Sequence, residues 1–361
     1  MGIETRRMIA AGSGLGGPVA WGVASGHPAL GTLAALGALS VSGVSMGAAP
    51  VDGVVAKGAS LAEGLARGGY AVAVTTVAGL VGAAVGGHGW ITAVTIVLVA
   101  ALAAVVGGIS RPMAEHTTRF IVFMVITTGL AEHAAPVAAA VLFAEGAIWG
   151  LLVTALCTHT KQPGTKRSRP KRPRRTEPAA VPPANPAPTK RALLRRWWRT
   201  LKTMRGRQYP IRLTACLAVA EIIGLMWPQP TASWIAVTLV IVVRRQLDGA
   251  LRRAIERAAG TGAGVVAGSA VLLWVPAPWL FVLLVTGLAA VRPVLKDRDY
   301  TLYATVMTPL VLLLMEGGGR VAPATIGYRL ADTAIGCVLA LGLGYLPWAV
   351  RRERSTRAIV D

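Results

Sequence analysis

Apolar residues along this chain come in long blocks, nearly free of Lys and Arg, separated by short charged stretches. The blocks occupy residues 8–25, 28–46, 68–87, 90–109, 117–131 and 137–157. After a polar interval they recur at 211–227, 231–243, 260–275, 278–292, 300–315 and 327–348. Blocks of this kind predict bilayer-crossing helices, although several fall short of the ~20 residues a straight span needs. The expected fold class is an all-α polytopic membrane protein with about twelve transmembrane helices. The chain divides into a first six-helix repeat (1–159), a basic linker (160–209), a second six-helix repeat (210–350) and a basic tail (351–361).

The charge pattern sets the orientation. With the N-terminus inside, the inner loops carry Lys57, Arg67, Arg111, Arg244, Arg245, Arg252, Arg253, Arg257, Lys296, Arg298, Arg351 and Arg352. The outer loops hold almost no Lys or Arg, Arg320 excepted, so both termini are expected to be cytoplasmic. Trp90, Trp227, Trp274, Trp279 and Trp348 stand at span ends, where interfacial aromatics collect. Composition agrees: the 361 residues are 54% hydrophobic and 15% charged, against about 25% charged in soluble domains. The formal net charge of +21 first suggests a nucleic-acid partner. No nucleic-acid motif accompanies it, and residues 160–209 alone hold sixteen Lys/Arg against one acid, Glu177. A cytoplasmic face beside anionic lipid accounts for that charge, and no nucleic-acid partner is expected.

The linker begins as "KRSRPKRPRRTEPAAVPPANPAP", basic and proline-rich, which predicts an extended segment. It continues as "KRALLRRWWRTLKTM". There Leu193, Leu194, Trp197, Trp198, Leu201 and Met204 follow helical spacing between arginines, predicting an interfacial helix on the inner leaflet. An acidic partner is the alternative ligand for this helix. Cys157, Cys216 and Cys337 are widely spaced within apolar blocks and read as buried small hydrophobes.

The halves echo each other. Asp52-Gly53 and Asp248-Gly249 follow the second span of each half, and Trp90 matches Trp279. "VITTGL" (125–130) matches "VMTPLV" (306–311), and "EGAI" (145–148) matches "DTAI" (332–335). An even span count per half predicts two parallel repeats about an axis normal to the membrane. Within the second half, Arg257-x-x-x-Thr261-x-x-Gly264 recurs as Arg329-x-x-x-Thr333-x-x-Gly336, with Thr238 and Thr308 upstream. The two copies fall on spans of opposite direction, as in an inverted three-plus-three repeat.

"RAIERAAGTGAG" (253–264) might be taken for a phosphate loop. It lacks the third glycine of the dinucleotide fingerprint and the G-K-[ST] of a phosphate-binding loop. In a membrane helix, Gly260, Gly264 and Gly268, four apart, instead make a surface another helix can approach closely. Gly260, Thr261, Gly264, Thr333 and Gly336 are therefore the expected packing motif. Arg257 and Arg329 precede the glycines near helix N-termini, where an anion is favoured. Topology anchoring, or an i,i+3 pair with Asp332, is the plainer role for them.

Ionisable groups inside spans are costly and so are functional candidates. Glu145 and Asp332 take matching places, Glu221 lies mid-span and Arg119 enters span five. The carboxylates Glu145, Glu221 and Asp332 are candidates for proton coupling. Arg257, Arg329, Arg119, Thr238, Thr308 and Tyr303 are candidates for an anion path. Thr127-Thr128-Gly129 and Thr308-Pro309 predict interrupted fifth spans, and Tyr300 and Tyr303 offer ring surface to a substrate. His27, His88, His116, His133 and His159 are scattered, and no metal spacing, nucleophile triad or cofactor motif is present. No enzyme activity and no cofactor are expected.

"SWIAVT" (233–238), "RAIERAAGTGAG", "YATVMTPLVLLL" (303–314), "RLADTAIG" (329–336) and "LPW" (346–348) occur in the order found in the fusaric acid resistance (FUSC) family. Residues 211–348 thus resemble that family of bacterial inner-membrane proteins, which includes aromatic acid exporters. The first half keeps only faded equivalents, with Gly69-Tyr70 where Gly-Thr and Leu142 where Arg would stand. The resemblance implies export of small organic anions, such as aromatic carboxylates, and the carboxylates inside the spans suit proton-driven export. A passive anion channel similar to plant malate channels, and a non-transporting scaffold recruiting a partner through the linker, are the alternatives. The expected partners are the bilayer with its anionic lipids and the organic anion. The tandem chain would form a self-contained pseudo-dimer, with a homodimer the other possibility.

Overall fold

The computed structural model describes residues 3–42, 61–130, 135–159, 189–227, 229, 231–243, 245, 250–273, 277–317 and 323–350. The Asp52-Gly53 and Asp248-Gly249 loops, residues 160–188 of the linker, Arg244, Trp274, Arg320 and the tail 351–361 lie outside them.

Each of the twelve apolar blocks is a helix, and the linker adds one more. In the first half these are α1 (Ile3–Ala24), α2 (Pro28–Val41), α3 (Leu61–Val85), α4 (Trp90–Val106), α5 (Arg111–Thr128) and α6 (Pro136–His159). Then come α7 (Lys190–Lys202), α8 (Met204–Met226), α9 (Ser233–Val242), α10 (Ala250–Leu273), α11 (Pro278–Arg298), α12 (Tyr300–Met315) and α13 (Pro323–Gly342). Several start well before their apolar block. Helix α10 begins ten residues early because Arg, Glu and Leu are good helix formers whatever solvent surrounds them. Local signals set other boundaries. Ser110 Oγ caps α5 at the Met113 amide (3.3 Å), and Asp299 caps α12 at the Thr301 amide (2.7 Å). Gly87 and Gly89, both at positive φ, turn α3 into α4.

Among the described residues, five segments are long and apolar enough to cross a membrane: Gly64–Val85, Pro136–Cys157, Gly206–Met226, Pro278–Arg298 and Gly327–Val350. Helices α2, α4, α9 and α12 are apolar but shorter. Large apolar side chains point away from the protein along these helices, Leu98, Leu102, Leu156, Leu283 and Val338 being more than 60% exposed. Water would penalise such a surface, whereas hydrocarbon tolerates it. Trp90, Trp227 and Trp279, at helix ends, are also exposed.

The helices pair in a pattern that reads the same when the halves are exchanged. The first helix of each half packs on the fourth of the other, α1 on α11 and α8 on α4. The second of each meets the fifth of the other, α2 with α12 and α9 with α5. Within each half the third packs on the fifth and the second on the sixth. Glycines permit these approaches. A Cβ on Gly264 would lie 2.7 Å from Thr308 Cβ, and one on Gly336 would lie 2.9 Å from Thr238 Cβ. A Cβ on Gly260 would meet the Thr301 carbonyl at 2.7 Å, so α10 lies against α12 almost backbone to backbone. The two copies of the arginine–glycine motif thus dock on α12 and α9 at the two threonines noted upstream.

The expected interruption is not found in α12, which runs through Pro309 without a break, whereas α5 ends at Thr128, with Gly129 as its cap, where the sequence placed it. Pro309 is buried against α10, where Gly264 and Gly268 leave room for it. The glycines accommodate the ring, so the missing donor costs one hydrogen bond and not the helix.

Candidate functional site: buried charges at the two ends of α12

The first cluster lies where α12 ends and α13 begins. Helix α13 buries Arg329, Asp332 and Thr333 on one face, since i, i+3 and i+4 share a face. Arg329 is 4% exposed and forms an ion pair with Glu316, which follows the last turn of α12. Its guanidinium also faces the Trp234 ring of α9, 5.8 Å from the centroid. Asp332 accepts a hydrogen bond from Thr231 Oγ1 (2.6 Å), and Trp234 Nε1 donates to Thr333 Oγ1 (3.0 Å). Arg329 thus takes Glu316 as its ion-pair partner, while Asp332, bonded to a hydroxyl, stays within electrostatic reach of Arg329. Arg329 Nε and Nη1 are buried without a partner. A buried cation with two unused donors is a strong attractor for an anion.

The second cluster lies at the other end of α12. Arg257 Nη1 of α10 donates to the Tyr300 hydroxyl, and the guanidinium lies 5.5 Å from that ring. Tyr303, one turn on, stacks on Tyr300 at 6.2 Å and 29°. Arg257 Nε is buried with no partner. The clusters are separated by the sixteen residues of α12, about 24 Å at 1.5 Å per residue. Each combines an arginine with an aromatic face. Among the described residues, only the Arg329 cluster adds carboxylates.

The remaining sequence candidates are distributed differently. Thr238 is buried, with its hydroxyl unpartnered, against Gly336, and Thr308 donates to the Ala304 carbonyl (2.9 Å). Thr261 is buried on α10. Glu221 is half-buried on α8, and Arg119 is half-buried on α5, one turn after Glu115. Neither joins a cluster. Glu145 is exposed on α6, unlike its sequence counterpart Asp332. Its neighbours Gly146 and Ala147 are the buried residues, with Gly146 pressed on Ala34 of α2, so a 100° step per residue turns Glu145 outward.

Sequence reasoning missed Glu316, Thr231 and Trp234 as site residues, and missed the buried arginines Arg212, Arg245 and Arg292. Glu316 sits in "MEGGGR", which reads as a loop. Arg212 and Arg292 stand inside apolar blocks, so the rule that singled out Glu221 and Arg119 would have found them. Among the described residues there is no group of three or more His, Cys, Asp or Glu that could hold a metal.

Stacked apolar helices with lipid-facing side chains and charges kept inside define a multi-pass α-helical membrane protein. Residues 215–343 match the family model described as fusaric acid resistance protein-like, so the resemblance is shown for that stretch, which holds the series from "SWIAVT" to "RLADTAIG" but ends before "LPW". The chain is 30% identical over 136 residues to the uncharacterised protein YhfK of Escherichia coli K12. That match covers 36% of this chain and 19% of YhfK. It is 28% identical over 167 residues to the uncharacterised membrane protein YvaC of Bacillus subtilis 168, covering 45% of this chain and 25% of YvaC. The chain therefore spans well under two thirds of either relative. No solved structure matches.

Proposed function

We propose that the protein exports small organic anions, with aromatic carboxylates as the substrate class, across a bacterial plasma membrane, and that protons drive the export. All twelve apolar helices cross the bilayer in this reading, with both termini cytoplasmic. The halves form a pseudo-dimer, and the second half is an inverted three-plus-three repeat. The exchange-symmetric helix pairing supports that architecture. The observation that carries the function is Arg329, a buried cation with unused donors facing an aromatic ring beside two carboxylates. An aromatic carboxylate offers a counter-charge to the first and a flat face to the second. Glu316 and Asp332 are the groups that would exchange protons as the anion comes and goes. Arg257 with Tyr300 and Tyr303 forms the inner mouth of the same path, and Arg329 the outer mouth.

The test is flux in liposomes of purified protein, with benzoate as the probe, with and without an imposed pH gradient. Uphill benzoate movement driven by the gradient is expected. Voltage-driven current without coupling would make the protein a channel. Absence of both would leave the scaffold reading. Arg257→Gln and Arg329→Gln are then compared in oriented vesicles, with probe offered from each face. Opposite sidedness is expected, and identical defects would reject the two-mouth path.

A further inference from the structure

Residues four apart lie one above another on a helix, so α7 carries four lengthwise rows. The first row, Leu193, Trp197 and Leu201, is half-buried, and Trp197 fastens it to the bundle. Trp197 Nε1 donates to the Val105 carbonyl in the last turn of α4 (3.0 Å). A Cβ on Gly108, just past that turn, would lie 3.3 Å from the same ring. The second row holds Leu194 and Trp198, 49% and 60% exposed. The third is Arg191, Arg195 and Arg199, and the fourth is Ala192, Arg196 and Thr200, all exposed. An open groove runs along the arginine rows, lined by Arg195, Arg196 and Arg199 with Thr200 and Thr203. Among the described residues none of these arginines forms an ion pair. No Asp or Glu stands between Glu177 and Glu221 in the chain.

Location selects the partner. One residue, Thr203, separates α7 from α8, and Trp197 joins α7 to α4. Helix α7 therefore lies across the end of the α4–α8 contact between the halves. The lipid-facing surface of both helices runs up to this level. Leu102 of α4, one turn before Val105, is 65% exposed, and Ile211, on the second turn of α8, is 45% exposed. The fold thus sets an apolar row and then an arginine row at the rim of that surface. An acidic polypeptide would satisfy the guanidinium groups and leave Leu194 and Trp198 in water. A bilayer surface satisfies both, with hydrocarbon for the second row and phosphate for the third. We infer that α7 is a docking helix for anionic phospholipid: Leu194 and Trp198 enter the acyl layer, and Arg191, Arg195 and Arg199 hold headgroup phosphates. Docking fixes α7 across the seam, so membrane charge acts on the contact between the halves and not on the export path.

The experiment uses the full chain in nanodiscs of phosphatidylcholine with an increasing share of phosphatidylglycerol. An environment-sensitive dye on Leu194→Cys reports the second row, and the same dye on Ala192→Cys reports the fourth. Dye-treated wild type gives the background of the native cysteines. Quenching by acrylamide, which is neutral, measures access from water. Phosphatidylglycerol should shield the Leu194→Cys dye and leave the Ala192→Cys dye open. Adding Arg195→Gln and Arg199→Gln to Leu194→Cys should lower the docking constant about thirtyfold, at about fivefold for each cation removed from the surface. If that variant melts early, Arg199→Gln alone should show the fivefold loss. Equal quenching at both positions, shielding independent of phosphatidylglycerol, or shielding that survives loss of the arginines would overturn the proposal. Poly-glutamate in phosphatidylcholine discs should shield neither dye. Shielding of the Ala192→Cys dye by poly-glutamate, with none of the Leu194→Cys dye by phosphatidylglycerol, would assign an acidic polypeptide and overturn the lipid reading.

Discussion

Replacing Gly264 with leucine tests the contact that holds α10 on α12. A Cβ at this position would stand 2.7 Å from Thr308 Cβ and 2.8 Å from the Thr305 carbonyl oxygen. Non-bonded heavy atoms settle at about 3.5–4.0 Å, so the helices must part by roughly 1 Å before the rest of the side chain is fitted. Overpacking of this kind costs about 1–3 kcal/mol. The substitution also removes a helix-interior glycine, a gain of up to about 1 kcal/mol that must be separated from the clash. Gly262→Leu supplies the control, since a Cβ on Gly262 meets nothing within 4 Å. The two variants share the propensity gain and differ only in the clash. Thermal melting in detergent, followed by circular dichroism, should place Gly264→Leu below wild type and Gly262→Leu at or above it. Coincident melts for the two variants would refute close packing of this face and leave it to lipid.

Other outcomes follow from the same contacts. Arg329→Gln should destabilise by about 3–5 kcal/mol, and adding Glu316→Gln should recover part of the loss, because the single change strands a carboxylate; a double-mutant cycle in detergent melts would detect an absence of coupling. Deleting 161–188 should leave the melting midpoint unchanged while reducing binding to anionic vesicles, by about 1 kcal/mol for each basic residue removed from the surface. His116 provides a pH test. Burial, and then the neighbouring Arg119, hold its imidazole below the usual 6.5. The unfolded chain therefore takes up this proton first, and stability should fall as pH drops through 6.5 toward the folded value. The acid loss should shrink in His116→Gln, and equal pH profiles would contradict the assignment.

The sequence alone determined that this is a membrane protein, where its helices lie and which glycines face a neighbour. Those features follow from the run of apolar residues and from small residues four apart, both readable along one helix. Helix α10 on α12 through Gly260, Gly264 and Gly268 was predictable as a close contact, though its partner was not. The tertiary structure decided the partners. Arg329 of α13 found Glu316 at the end of α12 as its ion-pair partner, while Asp332 of its own helix stays within electrostatic reach. Glu145 turned outward, although "EGAI" matches "DTAI", because sequence likeness does not fix the rotation of a helix about its axis. Pro309 stayed inside a continuous helix because α10 offered glycines opposite its ring. Arg245 covers the Tyr209 ring, 36 positions earlier in the chain, only after α8 and the end of α9 come together. Burial of a charge, and the pairing that compensates it, depend on which helices meet, and that depends on packing over the whole bundle.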